Sequence, residues 1–100
     1  MRALLPLALM FASPAAAMLS PFYDSAEKIA AILQSTEVAD AVRQAPIGSV
    51  SNIGTAKSGN DLWQIRVQDC DLTVELVPEM PTAGMVGKVT YAVKPLGPCE

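Results

Sequence analysis

The chain contains no histidine, and it therefore lacks the side chain that most often acts as a general base near neutral pH. Catalytic sites built on Ser-His-Asp or Cys-His pairs are excluded. The adjacent Lys57 and Ser58 lie in a Gly- and Asn-rich turn, where nothing buries the lysine and lowers its pKa. The sequence accordingly predicts a protein that is not an enzyme.

Cysteine is nearly absent as well, since the chain has two, Cys70 and Cys99. They form no Cys-x-x-Cys motif, and without histidine they are too few for a zinc site. In a small exported chain, two widely spaced cysteines predict a disulfide. Closing a loop of about 30 residues stabilises a fold by roughly 3 to 4 kcal/mol in the chain-entropy model.

Clustered positive charge is also missing, because seven scattered Lys and Arg residues stand against ten Asp and Glu and the net charge is -3. Affinity for nucleic acid depends on grouped cations, so no nucleic-acid partner is predicted. The segment from Gly54 to Gly59 lacks the glycine spacing of a phosphate-binding loop, and no cofactor is predicted. No apolar run reaches the roughly 20 residues that a membrane span needs.

The N-terminal segment has the three parts of a signal peptide. Met1 and Arg2 give a positive start, residues 3–12 are apolar, and Pro14 to Ala17 ends in small residues. This pattern predicts a signal peptide over residues 1–17, cleaved before Met18, and a single mature domain over residues 18–100. No cysteine near the cut offers a site for a lipid anchor, so we expect a product exported to the periplasm or secreted.

Two alternating segments predict a β-hairpin around Cys70. Apolar residues fall on odd positions from Trp63 to Val67 and on even positions from Leu72 to Leu76, and a tight reversal explains the change. A loop over residues 68–71 would place Arg66 opposite Thr73 and diagonal to Glu75. The same loop would pair the apolar residues as Val67 with Leu72, Ile65 with Val74, and Trp63 with Leu76. One continuous strand with a bulge at Asp69 and Cys70 would also change the parity, but its length of about 16 residues favours the hairpin.

Weaker patterns predict one more strand on each side of the hairpin. Residues 47–59 are rich in Gly, Ser and Asn, which favours an edge strand. A turn at Lys57 to Asn60 would place Ile53 opposite Ile65 and Thr55 opposite Trp63. The final strand alternates at Val89, Tyr91 and Val93, and its expected partners in the preceding strand are Leu76, Val74 and Leu72 in that order.

The helical region is predicted between Ser25 and Gln44, after a lead-in over residues 18–23 that is expected to be extended or frayed. Asp24 is the expected N-cap, with Glu27 completing a capping box. Ile29, Ile32 and Leu33 form one apolar stripe, but Val38 and Val42 lie on the opposite side of a continuous helix. Either one helix is kinked or two short helices meet near Ser35, which can cap the second. The predicted fold is α+β, with this helical layer on a four-stranded antiparallel meander and one disulfide.

These features favour a binding module whose partner is another protein, such as an inhibitor, an immunity-type protein or an envelope accessory protein. Met80 and Met85, in the long loop before the last strand, are the predicted partner contacts. The alternative is a structural protein that forms homo-oligomers, with the first strand pairing across a two-fold axis.

Metal binding is the less favoured interpretation of two residue groups. Asp69, Asp71 and Glu75 match no calcium-loop spacing, and solvated carboxylates explain them better. Met80 and Met85 have the thioether groups that bind copper(I), but two methionines in a flexible loop are more often incidental. No metal site is predicted.

Overall fold

The computed structural model describes residues 16, 17, 19–81 and 87–100. Two helices pack on one face of a four-stranded antiparallel sheet, and one disulfide closes the structure, which confirms the predicted α+β architecture. The predicted signal peptide falls mostly on residues outside this part, so it stays a prediction. The elements are β1 (Ala16–Ala17), α1 (Pro21–Leu33), α2 (Thr36–Ala41), β2 (Ile47–Thr55), β3 (Asp61–Val67), β4 (Asp71–Glu79), β5 (Gly87–Lys88) and β6 (Thr90–Pro95).

The strands follow one another across the main sheet in the order β2-β3-β4-β6. This sequential arrangement is the predicted meander. The two-residue strands β1 and β5 pair in parallel with each other and form a separate small sheet. Ala16 and Ala17 of β1 belong to the segment that the sequence pattern assigns to the signal peptide.

Helix α1 begins earlier than the sequence pattern predicts. Ser20 is its N-cap, with the hydroxyl accepting a hydrogen bond from the Tyr23 N–H at 3.3 Å. Pro21 follows at the first helical position, where its fixed φ suits the helix and its missing N–H costs nothing. The predicted N-cap at Asp24 and the extended conformation of residues 21–23 are therefore wrong. Asp24 lies in the first turn, and its carboxylate binds other side chains.

The helix breaks at Ser35, as one of the two alternatives predicts. The Ser35 hydroxyl accepts a hydrogen bond from the Val38 N–H at 3.2 Å and begins α2. The break turns Val38 and Val42 toward the same core that receives Ile32 from α1. Leu33, a member of the predicted apolar stripe, remains half exposed.

The predicted hairpin is present, and its apolar residues share one buried face, but the register differs by two residues. Trp63 lies opposite Val74 and Ile65 opposite Leu72. The connection is tighter than the predicted loop over residues 68–71, because the Val67 N–H donates to the Cys70 carbonyl at 3.0 Å. A shift of two residues keeps every side chain on its face, so alternation alone could not detect it. The buried hairpin residues are Trp63, Ile65, Val67, Leu72, Val74 and Leu76.

Strand β6 is displaced by four residues from its expected register on β4. Leu76 lies opposite Val93, and Val74 lies opposite Pro95, while Val89 lies outside the strand. The Leu96 N–H donates to the Thr73 carbonyl at 2.8 Å, which extends the pairing toward the disulfide. The observed register sets each β6 residue four positions closer to the end of β4, and its continuation along the tail places Cys99 opposite Cys70.

Strand β2 forms the edge of the sheet, as its composition predicts, but its expected register is wrong. Val50, not Ile53, lies opposite Ile65, and Asn52 lies opposite Trp63. The turn is longer than expected, since Thr55 lies opposite Asp61, and β2 contains two bulges, one between Ile47 and Ser49 and one between Asn52 and Gly54. The second leaves Ile53 without a directly opposed residue on β3 and exposed to solvent.

Candidate interaction surface

Four titratable side chains meet where α1 crosses the sheet, and we call them the ionic cluster: Asp24, Lys28, Asp61 and Tyr91. The Tyr91 hydroxyl donates to Asp24 Oδ1 at 2.6 Å. Lys28 Nζ lies 2.7 Å from Asp61 Oδ2 and 3.1 Å from Asp24 Oδ2, and 5.3 Å from the centre of the Tyr91 ring. The cluster therefore connects α1 with the start of β3 and with β6.

The electrostatics of the ionic cluster hold Asp24, Lys28 and Tyr91 in their usual charge states. Burial and the hydrogen bond to Asp24 raise the pKa of Tyr91 to about 12. The hydrogen bond from Tyr91 lowers the pKa of Asp24. Burial opposes the charge of Lys28, but its hydrogen bonds to Asp61 and Asp24 outweigh this and raise its pKa. A general acid or base works best with a pKa near the operating pH, and these shifts move away from it. The cluster is arranged to hold α1 on the sheet.

A second set of charged contacts covers the outer face of the sheet. Arg66 Nε and Nη2 donate to the two carboxylate oxygens of Asp71 at 2.9 and 3.1 Å. This pairing replaces the expected position of Arg66 opposite Thr73, and it lowers the pKa of Asp71. Glu75 accepts hydrogen bonds from Asn60 and Ser58, which lower its pKa.

The carboxylates considered as calcium ligands are therefore engaged separately. Asp71 binds Arg66, Glu75 binds the β2–β3 turn, and Asp69 is exposed in the hairpin connection. Across the described residues, no group of three or more Asp, Glu, His and Cys is arranged to hold a metal ion. This arrangement serves the pairing of strands β2, β3 and β4.

The predicted disulfide between Cys70 and Cys99 is present, with the two Cα atoms 5.4 Å apart. Backbone hydrogen bonds between Asp71 and Glu100, at 2.7 and 2.9 Å, lie next to it. Together they fasten the tail to the start of β4. The disulfide also forms part of the wall of an open cavity of about 510 Å³ that Arg43 and Asp69 border.

The end of α2 next to this cavity has an unusual backbone. Arg43 and Gln44 both have φ of 57°, the left-handed region that favours glycine. The Gln44 N–H donates to the Ala39 carbonyl at 2.8 Å, so the conformation satisfies a carbonyl at the helix end. The sequence pattern extends the helical region to Gln44, whereas in the structure α2 ends at Ala41 and Arg43 lies beyond it.

Exposed apolar side chains gather between α2 and the start of β2. Leu33 is 53% exposed and Ile47 is 47% exposed, and both line an apolar cavity of about 160 Å³. Its deeper wall includes the core residues Ile32, Val38 and Val42. We call Leu33, Ile47 and this cavity the α2–β2 patch. Exposed apolar side chains that meet at a cavity are typical of binding surfaces.

The outer side of β2, which we call the β2 edge, continues from this patch. No strand in the described part of the chain pairs with it. From Gln44 to Ala56 the sequence has no charged residue, and Ile47 and Ile53 are both exposed. The β2 edge therefore offers free backbone hydrogen-bonding groups beside apolar side chains.

The predicted partner contacts are placed only in part. Met80 follows β4 and is 66% exposed, whereas Met85 falls on residues 82–86, which lie outside the described residues. The α2–β2 patch was missed by sequence reasoning, which treated Leu33 as a core residue. A helix break directly after Leu33 was the available signal that its side chain could leave the core.

Comparison of the chain with protein-family models, curated proteins and solved structures found no match. In the part that the structure describes, no helix is long and apolar enough to cross a bilayer.

Proposed function

We propose that this chain is a small exported binding module, stapled by one disulfide, which recognises another protein through the α2–β2 patch and the β2 edge. The observation that carries the proposal is the coincidence of an apolar cavity, exposed Leu33 and Ile47, and an uncharged edge strand on one side of the molecule. Inhibitors, immunity-type proteins and envelope accessory proteins are the classes that fit this description.

The distribution of charge supports binding rather than chemistry. Asp24, Lys28 and Asp61 are engaged with one another or with Tyr91 across the helix–sheet junction. Beside Leu33 and Ile47, by contrast, the cavity wall is mostly apolar, with Ser35 and Gln44 at its margin. Apolar surface of this kind gains free energy when a partner removes it from water.

Export rests on the sequence pattern of residues 1–17 and is compatible with the disulfide, which forms in oxidising compartments. We propose cleavage before Met18 and a mature single domain over residues 18–100, located in the periplasm or outside the cell. Mass spectrometry of the protein recovered from the periplasm and from the medium would test this. A chain that retains Met1 and has two reduced cysteines would contradict it.

Site-specific photo-crosslinking tests the binding surface. We would place a photoreactive amino acid at Ile47, at Ile53 or at Lys94, an exposed residue of β6 that serves as the matched control. We expect the same discrete partner band from Ile47 and Ile53 and none from Lys94. A probe at Met80 tests the partner contact predicted there. Equal labelling from Ile47 and Lys94 would contradict the proposed surface.

Self-association is the second candidate function, because the exposed β2 edge could pair with the same strand of another copy. Light scattering of residues 18–100 distinguishes the two. A concentration-independent monomer supports recognition of a different protein, and a stable dimer supports a structural homo-oligomer.

A further inference from the structure

The two edges of the main sheet are protected very differently. Strand β6 carries Lys94 and ends in Pro95, and both residue types discourage pairing with another strand. Strand β2 has neither a charged residue nor a proline within its nine residues. The protection of β2 is limited to its two bulges, so the stretch between them is where strand addition by another chain is expected.

The nearest charged residues along the chain before and after β2 are both positive. Arg43 lies four residues before β2, and it lines the same cavity as Val67, which is paired with Ile47 at the start of β2. Lys57 lies two residues after the end of β2, in the turn to β3. The uncharged edge therefore has a cation at each end, although the chain as a whole has a net charge of -3.

These two cations have no ion-pair partner within the described residues. Lys28, Arg66 and Lys88 each bind a carboxylate, whereas Arg43, Lys57 and Lys94 do not. Asp69 lines the same cavity as Arg43, but no ion pair joins them. In an acidic chain, two such cations at the ends of a strand whose outer edge has no partner in the described part of the chain form a charge pattern that carboxylates would complement.

The same charges argue against a second copy as the occupant. Pairing two β2 strands antiparallel about a two-fold axis near Ser51, the middle of the strand, brings Arg43 of one copy close to Lys57 of the other. This happens at both ends of the pair. Like charges facing each other across strands are destabilising, so self-pairing is disfavoured in the register that gives the longest overlap.

We infer that the β2 edge takes an extended segment of a partner protein, with an apolar centre flanked by Asp or Glu residues. The segment adds a strand next to β2, and its carboxylates lie near Arg43 and Lys57. One apolar side chain of the segment enters the α2–β2 patch, whose cavity of about 160 Å³ is comparable to cavities that hold a benzene-sized group. This inference rests on the proposed function and specifies the chemistry of the partner.

A displayed library of random peptides, selected against residues 18–100, tests the inference. We expect enrichment of alternating β-branched or aromatic residues with Asp or Glu at both ends. The enriched peptide is then synthesised in three forms: unchanged, with its end carboxylates replaced by lysine, and with alternate backbone amides N-methylated. Fluorescence anisotropy measures their affinities. The unchanged form should bind at least about tenfold more tightly than either of the others.

Matched variants of the protein localise the effect. Lys57→Glu should weaken binding of the acidic-ended peptide by about five- to tenfold, and it should favour the lysine-ended form. Lys94→Glu makes the same charge change at the other edge of the sheet and should leave binding unchanged. Ile47→Ser should weaken all peptides alike, because it removes an apolar contact and not a charge.

Three results would overturn the inference: no enrichment, equal affinity for acidic-ended and lysine-ended peptides, or full binding by the N-methylated peptide. If one of these accompanies specific crosslinks from Ile47 and Ile53, the proposed function stands and only strand addition by an acidic-ended segment fails. If peptides bind as expected but Ile47 and Lys94 crosslink equally in the cell, the edge has the inferred chemistry and the proposed use of this surface is wrong.

Discussion

Strands β2 and β4 have the same length, nine residues, and belong to the same sheet, yet they differ in how deeply their side chains are buried. Strand β4 lies between two neighbours and buries Leu72, Val74 and Leu76 completely or almost so. Among the described residues, strand β2 has one neighbour and two bulges, and none of its own residues is buried. The comparison shows how unevenly the core is shared within the sheet: the inner strands supply its buried side chains, and the edge strand β2 supplies none.

The largest expected effect comes from equivalent truncations in the two strands. Leu72→Ala should reduce the free energy of unfolding by about 2 to 5 kcal/mol, because Leu72 is fully buried. Ile53→Ala should change it by less than about 0.5 kcal/mol, since Ile53 lies exposed in a bulge. Urea denaturation of both variants measures the difference. Similar losses would mean that β2 contributes to the core after all.

The disulfide offers a second test of the difference between β4 and β2, because it joins the tail to the residue before β4 and does not involve β2. Cys70→Ser, Cys99→Ser and the double variant should each lose about 3 to 4 kcal/mol, since each opens the same loop. Thermal denaturation compares the three, with the reduced wild-type protein as a control. A double variant that loses the sum of the single losses would contradict a purely structural role.

Alkaline pH tests the ionic cluster, which holds α1 over the inner strands. The pKa of Tyr91 is raised to about 12, above the value near 10 for an unfolded chain. Its stabilisation is complete below pH 10 and is lost as the pH rises toward 12. Tyr91→Phe should reduce stability at neutral pH and flatten the decline above pH 10, while the raised pKa of Lys28 leaves a residual decline. Chemical denaturation from pH 8 to 12 measures both slopes, and identical slopes would contradict this role.

Acid should act in the opposite sense on the carboxylates of the sheet. The pKa values of Asp71 and Glu75 are lowered by Arg66 and by Asn60 with Ser58, respectively. Their stabilisation is therefore present above the ordinary carboxylate pKa near 4 and is lost as the pH falls below it. Glu75→Gln replaces the hydrogen-bonded carboxylate with a group that does not titrate. The variant should therefore lose less stability than the wild-type protein as the pH falls below about 4. Circular dichroism between pH 2 and 5 follows the transition.

The smallest expected effect lies at the turn that leads into β2. Gln44 has a left-handed backbone, so Gln44→Gly should relieve strain and stabilise the fold by about 0.5 kcal/mol after the entropy of the unfolded chain is counted. Gln34→Gly is the matched control, because Gln34 has an ordinary right-handed backbone conformation. Glycine relieves no strain there, so this variant should be less stable than the wild-type protein. Equal changes in thermal stability would contradict the strain at Gln44.

Alternation in the sequence was sufficient to predict which residues of the hairpin are buried, but it could not predict their partners. Faces depend on odd and even positions, and both observed registers differ from the predicted ones by even numbers of residues. The observed registers bring Arg66 next to Asp71 and Cys99 next to Cys70. Neither contact changes the apolar pattern.

The helix break could be predicted from neighbouring residues in the sequence, whereas the candidate surface depends on contacts between distant parts of the chain. The N-cap Ser35 is a local signal, and it correctly indicated two helices. The exposure of Leu33 and Ile47 depends on how α1, α2 and β2 meet, so the α2–β2 patch could not be predicted from local patterns. The cysteine pair was predictable because two thiols allow a single intramolecular pairing.

The two bulges in β2 limit the residence time of a segment bound at the β2 edge. Between them, Ser49 to Asn52 is the stretch that keeps an unbroken register with β3, and it is only a few residues long. A bound strand could form regular backbone hydrogen bonds along these few residues only, because the bulges on either side disrupt the edge. Main-chain bonding alone would then give fast release, and prolonged residence would require a side chain anchored in the neighbouring cavity.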